Sequence, residues 1–98
     1  FCAYDKNRLI AFSACYFNDE EKEIGYISSF SVMKEYQGQG ISSDLLNMII
    51  SFARERSFER IKLEVRKKNE EVMKVYSKKG FIETDRDSRV ITMELLLL

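Results

Sequence analysis

Apolar and polar residues follow two rhythms along this chain, and each change of rhythm marks an element. Phe1–Tyr4 is a short apolar stretch closed by the polar turn Asp5-Lys6-Asn7-Arg8. Leu9–Phe17 is apolar, aromatic and small, which predicts a largely buried strand. After the charged loop Asn18–Glu23, the segment Ile24–Met33 places Ile24, Tyr26, Phe30 and Val32 in rough alternation, which predicts another strand. Short polar connections between these segments predict an antiparallel meander. From Ile41 to Arg56 the spacing becomes helical. Ile41, Leu45, Met48, Ile49, Phe52 and Ala53 share one face, and Leu46 and Ile50 widen it. Arg60–Arg66 alternates again, with Ile61, Leu63 and Val65 set against Lys62, Glu64 and Arg66. Val72, Val75, Tyr76 and Lys79 mark a second, shorter helix that Gly80 can end in the left-handed C′ conformation. Phe81–Glu83 and Val90–Leu97 are strands on either side of the charged turn Asp85–Arg89. The order β-β-β-α-β-α-β-β predicts an α+β fold: a mixed, mostly antiparallel sheet with two helices.

Composition narrows the chemistry. A length of 98 residues suits a single domain over 1–98. Charged residues make up 33% of the chain and hydrophobic ones 45%, which argues against disorder. Sixteen basic residues balance sixteen acidic ones, so no overall field favours a nucleic acid or an anionic membrane as partner. No apolar run approaches the ~18 residues of a membrane span. The chain has no His, which removes the Ser-His-Asp triad, the Cys-His pair and His-ligated metal sites. Cys2 and Cys15 lack Cys-x-x-Cys spacing and lie among apolar residues, so they are expected to be buried free thiols of a reducing, cytoplasmic protein. Met33, Met48, Met73 and Met93 are expected to fill the core. The chain opens at Phe1, already inside a strand-like stretch, and further chain is expected upstream.

The most informative segment runs from Val32 to Ser43, where a strand feeds a turn and the turn feeds a helix. Gly38 and Gly40 permit positive φ and leave room for close approach. The first amides of a helix lack internal partners, and its dipole favours negative charge there, so such a turn is a phosphate cradle. Ser42 and Ser43 add hydroxyls. The segment is not a P-loop, since no Gly-Lys-Ser/Thr follows, and it lacks the third glycine of a dinucleotide fingerprint.

Gln37-Gly38-Gln39-Gly40-Ile41-Ser42 resembles the Gln/Arg-x-x-Gly-x-Gly/Ala signature of the GNAT N-acetyltransferases. Leu63-Glu64-Val65-Arg66 with Asn69, followed by Tyr76-Ser77-Lys78-Lys79-Gly80-Phe81, resembles that family's second block: a strand, an Asn, and a helix ending in Tyr-x-x-x-Gly-Phe. The resemblance covers about Leu9 to Leu97. It implies an acyl-CoA N-acyltransferase fold in which strands 24–33 and 60–66 splay apart and acetyl-CoA, the cosubstrate, lies in the split. The pantetheine arm would pair with backbone near Phe30, Ser31 and Val32. The pyrophosphate would lie on the amides of Gln37, Gly38, Gln39, Gly40, Ile41, Ser42 and Ser43, and Asn69 would contact the cofactor or hold the second helix. Tyr76 would protonate the leaving sulfur, and Glu64, directly or through water, would take the proton of a primary amine acceptor. With no His and no Cys in either block, transfer would be direct. The Glu64 context also resembles members that acetylate protein N-termini.

Some positions depart from the family pattern. Ser42 replaces the final Gly/Ala, Gln37 stands where Arg is common, and Ser57 stands where Gly is usual. Tyr26 lies where some members carry a base. The resemblance also implies a first strand and two helices upstream of Phe1, some of the acceptor site, and association with a second copy or a partner through that region. The alternative is a non-catalytic acyl-CoA-binding or protein-interaction module of the same fold. Arg66-Lys67-Lys68 with Lys74, Lys78 and Lys79 reads as a solvated face, or alternatively as a contact for the 3′-phosphate of CoA.

Overall fold

The structure is a computed structural model and describes residues 1–17, 23–37 and 40–97. The apolar stretches of the first third form β1 (Cys2–Asp5), β2 (Arg8–Tyr16) and β3 (Ile24–Val32). A 3-10 turn at Lys34–Tyr36 precedes α1 (Ile41–Glu55) and β4 (Arg60–Arg66). Then come α2 (Glu70–Lys78), β5 (Ile82–Arg86) and β6 (Val90–Leu96). This is the expected order. The strands make one sheet in the order β1-β2-β3-β4-β6-β5. Its pairs are antiparallel except β3 with β4, which is parallel.

The topology decides which face the helices cover. β4 and β5 both run antiparallel to β6, so they are parallel to each other. The connections β3–α1–β4 and β4–α2–β5 therefore step across the sheet in the same direction between parallel strands. Right-handed crossovers of this kind put both helices on one face. The core agrees: Leu46, Ile49, Ile50 and Ala53 of α1 join Tyr76 of α2 and Ile61, Leu63, Val65, Ile91, Met93 and Leu95 of the sheet in one buried cluster. Burying each such aliphatic side chain contributes about 1.5–3 kcal/mol. The opposite face carries no helix among the described residues. It shows Tyr4, Leu9, Phe12, Tyr16 and Tyr26 to solvent beside Glu64.

A bulge in β3 shapes the site. Cys15 pairs with Ile27 while Ala14 pairs with Ser29, so Ser28 is an extra residue in the ladder. The bulge inverts the period-two rule partway along the strand. Gly25 and Ile27 are buried, and Phe30 also packs against the core, but Tyr26 turns to the helix-free face and is 44% exposed. The expected alternation of Tyr26 with Phe30 and Val32 on one face is corrected accordingly.

Two smaller expectations also change. Met48 is 51% exposed, because the apolar stripe of α1 is wider than the strip the sheet covers. Met93 is buried, and Met73 packs against the core as expected. Cys2 is exposed rather than buried, since its pairing with Phe12 puts it on the helix-free face. Ser57, standing where the family usually has Gly, adopts φ 63°. That left-handed conformation costs a non-glycine residue about 1–2 kcal/mol.

Candidate active site

The site begins where the parallel pairing stops. β3 and β4 are paired from Ile24–Arg60 to Ile27–Leu63 and no further. Beyond that point β3 continues to Val32 along β2, and β4 continues to Arg66 along β6. The two strands diverge directly after the Ser28 bulge, which bends β3 away. The expected splaying of these strands is present.

Two hydrogen bonds fix which backbone groups face the opening. The Met33 N–H donates to the Ile10 carbonyl (2.7 Å), and the Ser13 N–H donates to the Phe1 carbonyl (2.8 Å). Met33 thus faces β2, while Ser13, opposite Phe30, faces β1. Strand groups alternate in direction. Phe30 and Val32 therefore turn their N–H and C=O toward the split, and Ser31 turns its own toward β2. The Gln37 side chain folds back and donates from Nε2 to the Val32 carbonyl (3.1 Å).

At the far end of that edge lies the start of α1. Gly40 is the N-cap residue, with φ 81° and ψ 2°, and no side chain caps the helix. The first helical hydrogen bond runs from the Asp44 N–H to the Gly40 carbonyl (3.0 Å), so the amides of Ile41, Ser42 and Ser43 have no intrahelical partner. A Cβ at Gly40 would meet nothing within 4 Å, so it is the backbone conformation, not crowding, that asks for glycine. Gly38 and Gln39 lie outside the described residues.

Three cavities follow one another along the split. One of about 340 Å³ lies on the helix-free face, bounded by Tyr16, Tyr26, Ser28, Lys62 and Glu64. The next, about 290 Å³, shares Ser28 and Glu64 with it and continues to Phe30, Asn69 and Tyr76. The third, about 340 Å³, shares Phe30 and Val72 with the second and reaches Ser31, Val32, Gln37 and Ser42. Among the described residues Glu71 is the one charged residue lining that third cavity, so an anion there would be held by amides, hydroxyls and the Gln37 amide.

Tyr76 and Glu64 border the middle cavity together. Tyr76 is wedged between Phe30 (ring centroids 5.8 Å apart) and Phe81 (5.4 Å). Its hydroxyl hydrogen-bonds to no described residue. Burial, with a smaller contribution from the nearby Cys15 thiol, pushes the Tyr76 phenol well above its ordinary value, so it stays protonated. Glu64 is exposed, on the opposite face of β4 from Leu63 and Val65. Asn69 precedes α2 but makes no side-chain cap bond, which leaves its amide to the cavity. Ser28, Tyr16 and Lys62 also line the opening and were not anticipated. A small polar residue inside an apolar strand was the only available hint of Ser28.

The chain matches the Acetyltransferase (GNAT) family over residues 1–81, and it belongs to that family. It is 31% identical over 87 residues to the N-alpha-acetyltransferase MAK3 of Arabidopsis thaliana, covering 88% of this chain and 46% of that protein. It is 32% identical over 88 residues to N-alpha-acetyltransferase 30 of Schizosaccharomyces pombe, covering 88% of this chain and 59% of that one. The chain thus spans about half the length of these curated relatives. Among solved structures, Arabidopsis thaliana Naa50 in complex with the bisubstrate analogue CoA-Ac-MVNAL superposes with a TM-score of 0.85 at 27% identity, covering 96% of this chain and 70% of that one.

Proposed function

We propose that this chain is the acetyl-CoA-binding part of an N-acetyltransferase that acts on a primary amine, with the α-amine of a peptide as the acceptor class. The observation that carries the reading is the parting of β3 from β4 after Ile27 and Leu63, with the open edge of Phe30 and Val32 leading to an uncapped helix start. An extended pantetheine arm would add to that edge as a strand does. A diphosphate would accept from the amides of Ile41, Ser42 and Ser43, assisted by Gln37, Gly38, Gln39 and Gly40. Asn69 would hold the arm's amide where it turns into the middle cavity.

In the reaction the amine nitrogen attacks the thioester carbonyl, the C–S bond breaks, and an amide and free CoA result. Glu64, directly or through water, takes a proton from the amine. Tyr76 gives one to the sulfur and is suited to that role because burial keeps it protonated. The juxtaposition of these groups on one cavity supports catalysis over a purely binding role. Cys15 is poorly suited to carry the acetyl group, because burial raises its thiol above the ordinary value. The free thiols of Cys2 and Cys15 suit a reducing cytoplasm. The peptide acceptor is supported by the N-alpha-acetyltransferase relatives and would enter from the face bearing Tyr16 and Tyr26. Further chain or a partner protein would complete the acceptor site there.

The test is a calorimetric titration of acetyl-CoA into the protein and into Gly40→Asp. Asp is a good N-cap and tolerates positive φ, so α1 persists while the new carboxylate competes for the free amides. Affinity is expected to fall about tenfold or more, which corresponds to at least about 1.4 kcal/mol. Equal affinity in the two proteins would overturn the phosphate assignment.

A further inference from the structure

A cavity roomier than the three along the split lies off the path just described. It measures about 480 Å³, lies where β4 ends against the β5–β6 hairpin, and is lined by Arg66, Lys67, Lys68, Ser88, Arg89 and Val90. Four of those residues are cations. Among the described residues the ion pairs join Arg8 to Glu35, Arg60 to Glu94 and Arg86 to Glu83, so none of the four is in one. Two carboxylates of the adjoining hairpin are engaged elsewhere. Glu83 accepts twice from the Arg86 guanidinium (2.6 and 3.2 Å). Asp87 Oδ1 accepts from the amides of Arg89 (2.7 Å) and Val90 (2.8 Å). Lys67 lies close enough to lower the titration of both acids, but neither of them lines the cavity. The walls are also tied together, since the Lys67 N–H donates to the Arg89 carbonyl (3.0 Å).

The position of this cavity decides between two anions. Arg66 also lines the middle cavity, beside Glu64 and Tyr76. The cradle cavity at Gln37 and Ser42 shares no lining residue with the basic one. A cosubstrate running from Tyr76 toward Gln37 carries its 3′-phosphate away from Arg89. The basic cavity instead adjoins the reacting centre from another side. Arg66 is two residues beyond Glu64 on an extended strand, a rise of about 7 Å. An extended acceptor whose amine lies at Glu64 would bring its second and later residues to that distance.

We propose that the cavity of Arg66, Lys67, Lys68 and Arg89 receives the carboxylates of an acidic acceptor peptide, from the second residue onward. The proposal rests on the transferase reading above. It goes beyond that reading by assigning a substrate class and a site to the basic residues.

The experiment uses the full-length protein and two peptides with a common first residue, one acidic and one with the matching amides at positions two to four. With acetyl-CoA saturating, the acidic peptide is expected to show a KM about tenfold lower, and added salt to erode the difference. In the Lys67→Gln/Arg89→Gln double variant that preference is expected to vanish, while kcat on the neutral peptide and the KM for acetyl-CoA hold. Equal KM values for the two peptides in the unaltered protein overturn the proposal. So does a raised KM for acetyl-CoA in the double variant that is absent with the 3′-dephospho cosubstrate, which would assign the cavity to the 3′-phosphate. Anisotropy of the labelled peptides reads the cavity without turnover. Acidic-peptide binding that the double variant loses, in a protein that acetylates neither peptide, retains the cavity and removes the transferase reading; no binding preference removes the cavity.

Discussion

Tyr76 serves both the core and the opening. Its ring joins Phe30 to Phe81 within the buried cluster, and the residue lines the middle cavity. Tyr76→Phe keeps the packing and removes the donor. Turnover is expected to fall about ten- to hundredfold with acetyl-CoA affinity unchanged, as single-turnover kinetics and calorimetry would read. The raised phenol also has a sign in pH. Above about pH 10 the unfolded Tyr releases a proton that the folded one keeps, so the folded state loses stability as pH climbs further. Thermal melts from about pH 8 to 11 are expected to show a shallower alkaline decline in Tyr76→Phe; identical declines would mean the phenol is not shielded. At this scale the sequence singled out Tyr76, Glu64 and Asn69 from one short block, and the structure brings the three to a single cavity. The sequence marked Ser28 only weakly, as a small polar residue in an apolar strand, because a bulge depends on the partner strand.

Among the elements, β3 does the most to make the site. Its Phe30 and Val32 amides face the split, while that of Ser31 points to β2. Hydrogen exchange by NMR is expected to show Phe30 and Val32 exchanging quickly in the free protein and slowing on addition of acetyl-CoA, with Ser31 slow throughout. Protection of all three without ligand would mean that the strands are zipped. The rhythm of apolar residues located α1 and β4 closely, because each buries one face on the sheet. It cut β5 short. Every residue of Ile82–Arg86 is exposed, so this edge strand has no period-two pattern, and its charged end reads as a turn. α2 starts at Glu70, ahead of its apolar stripe, where Glu70 and Glu71 complement the positive end of the helix.

Taken as a whole, the described residues form a sheet clad with helices on one side and parted between β3 and β4. The outer and middle cavities meet at Ser28 and Glu64, between strands that have just lost their common ladder. That passage bears on kinetic order. On the proposed reading, a donor lying along β3 and an acceptor arriving from the helix-free face would use different doors, so neither would have to leave before the other enters. Initial rates with both reactants varied should give intersecting double-reciprocal lines, the signature of a ternary complex. Parallel lines would instead point to an acetylated protein, and to a side chain that parks the group between two visits.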